Sequence, residues 1–95
     1  MNYDELTSAV RDLAIRTNTA AGDARWYLFG SAQRSISDAL DIDVLVVCRA
    51  DGVADAIRRA VDVDQFTRPL HLSILTCAEE AEVRFVEKQG CIQVV

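Results

Sequence analysis

The chain has 95 residues, of which 51% are apolar and 26% charged, with a net charge of −5. That composition suits a single folded domain over residues 1–95, with little core to spare, and argues against a disordered segment. Its acidic balance argues against an extended nucleic-acid surface, which leans on a basic patch, yet leaves room for one bound nucleotide.

Residues 3–20 have helical spacing: Tyr3, Leu6, Val10, Leu13 and Thr17 recur at intervals of three and four, while Asp4, Arg11, Asp12 and Arg16 take the other side. Asn2 with Glu5 three residues on fits an N-cap, and Gly22 is the stop signal. The aromatic-rich run 24–29 predicts a strand, and the segment from Gly30 to Ser35 a turn into a short helix. Residues 41–48 predict the clearest strand, whose unbroken apolar run suggests burial on both faces. Helical spacing returns over 51–62, with Val53, Ile57 and Val61 on one stripe. Pro69 closes a loop before a strand over 70–76. Thr76 and Glu79 match a capping box opening a helix, with Ala78, Ala81, Phe85 and Val86 expected inward. Gly90 stops it, and 91–95 predicts a last short strand. Such alternation means an α/β fold: a mixed sheet of about four strands with helices packed mainly on one face.

Cys48, Cys77 and Cys91 are odd in number, lie beside apolar residues and show no metal-ligand spacing, which predicts buried free thiols in a reducing compartment. The acidic, polar start does not read as a signal peptide, and the apolar runs are too short to span a membrane. The expected location is the cytoplasm, with no membrane partner.

Two aspartates open the strand that then turns wholly apolar. Residues two apart in a strand share a face, so Asp41 and Asp43 project together, roughly 6–7 Å apart at Cα, with Ile42 turned into the core. Two anions so placed repel unless a cation lies between them, and Mg²⁺ takes carboxylate oxygens readily. Strand ends are also often polar, so a solvated pair remains the alternative. Upstream, Gly30 permits close approach of a ligand to the backbone, and the Ser31 hydroxyl with the amides of a following helix start could hold phosphate. Arg34, one helical turn on, adds a cation. Trp26 and Tyr27 read as core residues, with base stacking as the rival role.

Together, Phe29-Gly30-Ser31, nine intervening residues and Asp41-Ile42-Asp43-Val44 resemble the nucleotidyltransferase superfamily that includes DNA polymerase beta. The likeness is greatest to its small stand-alone prokaryotic members, the minimal nucleotidyltransferases. It extends over nearly the whole chain in element order; Arg34 matches the family arginine, whereas Ser35 replaces the glycine that often follows it. The resemblance implies a single-domain nucleotidyltransferase-like fold. Gly30 and Ser31, with Arg34, would grip the triphosphate of a nucleotide. Asp41 and Asp43 would be catalytic and hold two Mg²⁺ ions. The expected donor is ATP and the expected reaction transfer of AMP to a hydroxyl. Small members are often paired with a helical HEPN-type toxin and act as antitoxins, so the implied partners are a nucleotide and either such a toxin or a second copy in a homodimer.

The family also uses a third carboxylate on the next sheet strand. Aligned on the approach to Thr76, that position is His71, with Ser73 facing the same way, and no acid occurs from Gln65 to Ala78. Three readings stay open: His71 acts as base or metal ligand; Glu79 or Glu80 reaches in from the next helix; or the site binds without turnover, which would make the chain a catalytically impaired interaction module. A structural histidine is the plainest alternative for His71.

Overall fold

A computed structural model describes residues 3–21, 24–30, 42–61 and 70–95. In chain order the elements are α1 (Tyr3–Ala21), β1 (Ala24–Phe29), β2 (Ile42–Cys48), α2 (Asp51–Ala60), β3 (Leu70–Thr76), α3 (Cys77–Val83), α4 (Phe85–Gln89) and β4 (Ile92–Gln93). The four strands form one mixed sheet in the order β3-β2-β1-β4. β1 runs antiparallel to β2 and β4, and β2 parallel to β3. The parallel pair needs a crossover, and α2 lies within it.

Strand alternation divides the side chains between two faces. Trp26 and Leu28 of β1 join Ile42, Val44, Val46 and Cys48 of β2 on one face, where Leu6, Val10, Leu13 and Ala14 of α1 and Ala54 and Ile57 of α2 cover them. Each Val, Leu or Ile among them taken from water contributes roughly 1.5–3 kcal/mol, so this layer holds the fold together. Thr17, on the same stripe of α1, is buried and donates from Oγ1 to the Leu13 carbonyl at 2.7 Å, which removes the cost of burying its hydroxyl. Asp4, Arg11, Asp12 and Arg16 are exposed on the far side of α1.

The other face carries Tyr27, Leu45 and Val47, with Phe29, Leu75 and, from α4, Phe85 and Val86 packed against them. Helices therefore contact both faces. The long α1 and α2, of 19 and 10 residues, take one, and the five-residue α4 takes part of the other. The reason lies in β2, whose side chains are apolar on both sides beyond Asp43 and need cover twice.

Several boundaries differ from the sequence expectation. α2 ends at Ala60, where Val61 donates to the Ile57 carbonyl at 3.0 Å and leaves the helix in extended backbone. The helix expected from Thr76 to Gly90 is two helices, broken at Arg84 in the left-handed region (φ 54). Glu80 explains the break: its carboxylate accepts from the Phe85 amide at 2.9 Å and the Val86 amide at 3.3 Å, satisfying donors at the start of α4. Ala78 and Ala81 are exposed, contrary to the expectation, while Phe85 and Val86 do pack inward. The last strand is only two residues long. Cys77 is exposed, unlike buried Cys48 and half-buried Cys91; all three are free thiols. Asn2, Gly22, Pro69 and the segment after Gly30, residues 31–41, lie outside the described residues. No helix among the described residues is long and apolar enough to cross a membrane.

Candidate functional site

The site begins with the first two residues of β2. Ile42 is fully buried under the helices, so alternation turns Asp43 to the opposite, more open face. The sheet register gives Asp43 two neighbours: Phe29, the last residue of β1, and His71, the second residue of β3. The carboxylate thus sits where β1 ends and β3 begins.

Gly30 follows Phe29 with φ +75, a conformation L side chains rarely adopt. Its backbone lies hard against the carboxylate. A Cβ built there would run into Asp43 Oδ2, and would come within 3.2 Å of Asp43 Cγ. A side chain there is therefore disfavoured twice, by the backbone dihedral and by the carboxylate it would displace. Across the strand, His71 Nδ1 is 3.4 Å from Asp43 Oδ1, a long contact that becomes an ion pair when the imidazole is protonated. The Asp43 side chain is 21% exposed and His71 60%, so the carboxylate is set back and the imidazole stands at the rim. Phe29 beside them packs edge-to-face on Phe85, ring centroids 5.0 Å apart, and makes an apolar border.

Of the residues singled out in the sequence, Gly30, Asp43 and His71 come together, while Ser31, Arg34 and Asp41 lie outside the described residues. Glu79 and Glu80, the acids considered for this site from the sequence, lie in the first turn of α3. Both are also engaged locally: Glu79 accepts from the Thr76 amide at 2.8 Å, completing the capping box, and Glu80 caps α4. Trp26 is fully buried and Tyr27 nearly so, as core residues. Phe29 is the one neighbour whose bordering role the sequence pattern leaves unmarked, although its place before Gly30 is the signal for it.

Among the described residues, no three His, Cys, Asp or Glu gather in the way a fully protein-bound metal requires. Asp43 offers a hard oxygen donor of the kind Mg²⁺ takes, and Mg²⁺ commonly completes its shell with water and substrate phosphates. His71 offers nitrogen, which suits softer divalent ions better. Of the described residues at this site, Asp43 is the one whose chemistry suits Mg²⁺, as one ligand among several that such an ion would need. Compared with protein-family models, curated proteins and solved structures, the chain matches none.

Proposed function

We propose that this chain is a nucleotidyltransferase-type domain that binds a nucleoside triphosphate, with ATP the first candidate, together with Mg²⁺, and transfers a nucleotidyl group to a hydroxyl. The observation that carries this reading is the direct apposition of the Gly30 backbone and the Asp43 carboxylate, at the open end of an otherwise buried strand. A phosphate-approaching backbone and a cation-binding carboxylate lying side by side suit this chemistry, because the carboxylate would hold a cation that neutralises the phosphate charge.

In this reading Asp43, with Asp41 assigned by resemblance, holds the cation, and Gly30 with Ser31 and Arg34 binds the triphosphate. Bound Mg²⁺ supplies charge neutralisation at the phosphates. His71, with Nδ1 toward Asp43, takes the proton of the acceptor hydroxyl. The acceptor surface comes from a partner, either a helical HEPN-type toxin or a second copy of the chain.

A second reading, a domain of the same type that binds a partner without turnover, is favoured by His71 itself. An imidazole at the rim is a weaker Mg²⁺ ligand than a carboxylate. Calorimetric titration with ATP, with and without Mg²⁺, tests the binding step. Wild type is expected to bind in a Mg²⁺-dependent way and Asp43→Asn at least tenfold more weakly; no binding to folded wild type would refute both nucleotide roles. Intact-mass analysis of a partner incubated with the protein and Mg-ATP then separates the two: a nucleotidyl adduct supports transfer, whereas partner neutralisation by Asp41→Asn/Asp43→Asn supports the binder.

A further inference from the structure

At the opposite end of β1 a second cluster has no part in the reading above. Arg25 of β1 pairs in register with Val47 of β2, and the two lie on the same face as Asp43. With Ala24, Arg49 and Cys77 they line a cavity of about 230 Å³. Arg25 Nη2 lies 4.0 Å from the Cys77 sulfur. Among the described residues, neither Arg25 nor Arg49 is paired with a carboxylate. The five-residue step from Arg25 to Gly30 puts the cluster about 17 Å from the candidate nucleotide site.

Two guanidiniums beside an exposed thiol join anion recognition to nucleophilic sulfur in one cavity. We propose that this cavity is a thiol-exchange site, at which Cys77 forms a mixed disulfide with an acidic low-molecular-weight disulfide of the oxidised glutathione class. The carboxylates of the incoming molecule are held by Arg25 and Arg49. The Cys77 sulfur, having lost its proton to solvent, attacks one sulfur of the disulfide; the new S–S bond forms as the old one breaks. The other half leaves as a thiolate and takes up a proton. One disulfide is consumed and one formed, so no further oxidant is required.

The remaining cysteines make internal controls. Cys48 is buried. Cys91 is half-buried, with Glu80 close enough to act on its thiol and to repel an acidic reagent. The test exposes the protein to oxidised glutathione and, separately, to cystamine, a cationic disulfide, with intact-mass timing and peptide mapping. The expected adduct maps to Cys77. Its formation from glutathione should be roughly three- to tenfold faster in wild type than in Arg25→Gln/Arg49→Gln, with the cystamine rates in the reverse order. Arg25→Lys/Arg49→Lys should retain most of the preference, and high salt should abolish it. Arg25 and Arg49 are exposed, so the variants should fold, which circular dichroism checks; Arg49→Gln alone gives an independent, intermediate arm. Equal rates in wild type and the glutamine variants, or an adduct at Cys48 or Cys91, would overturn the proposal.

Discussion

Replacing Gly30 with alanine separates the two demands on that residue. Its φ of +75 costs an alanine about 1–2 kcal/mol from the crowding of Cβ against the following carbonyl. The new Cβ also collides with Asp43 Oδ2, so the carboxylate must leave its rotamer, at about 0.5–1.5 kcal/mol. The sum, about 1.5–3.5 kcal/mol, is a substantial share of the stability of a small domain. The second part disappears in an Asp43→Ala background, because Asp43 Cβ would be 3.4 Å from the new methyl, an ordinary contact. The entropy that a Cβ removes from the unfolded chain applies in both backgrounds and cancels. Urea unfolding of wild type, Gly30→Ala, Asp43→Ala and the double variant should therefore show a coupling of about 0.5–1.5 kcal/mol, with unchanged m-values. If Gly30→Ala costs the same in both backgrounds, to within about 0.3 kcal/mol, the backbone does not press on the carboxylate and the argument for the site fails.

Thr76→Ala removes the hydroxyl that accepts from the Glu79 amide at 3.1 Å. It should cost about 1 kcal/mol, lowering the melting temperature by about 4–8 °C. The Cys91 thiol is pushed up to about 11, first by burial and then by the Glu80 carboxylate. Since the folded state holds the proton more tightly than the unfolded one, its contribution to stability is complete below about pH 9 and is lost as the pH rises toward about 11. Denaturant midpoints across that window should fall more steeply in wild type than in Cys91→Ser; parallel curves would contradict it.

Much of the architecture is legible because local rules and tertiary packing agree. Leu6, Val10 and Leu13 repeat with helical period and are buried along one stripe. The unbroken apolar run of β2 signals a strand covered on both faces, and that is where it lies. Thr76 and Glu79 form the capping box that their spacing predicts. The helix break at Arg84 was not legible, because it depends on the Glu80 side chain reaching amides five and six residues on. The exposure of Ala78 and Ala81 was not legible either, because which face of α3 meets the sheet is a tertiary matter.

The candidate site divides in the same way. Sequence alone marked Gly30 and Asp43, since a glycine after a strand and a carboxylate opening an apolar one are local departures from the pattern around them. Alternation alone turned Asp43 away from Ile42 and the core. Only the tertiary structure decided that Asp43 lies between the end of β1 and the start of β3, with His71 as its register partner. Strand order and register are set by long-range hydrogen bonds and by which faces find cover, and neither quantity is written in any short stretch of chain. The same is true of Arg25, Arg49 and Cys77, which meet only because β1, the end of β2 and the end of β3 are brought together by the sheet.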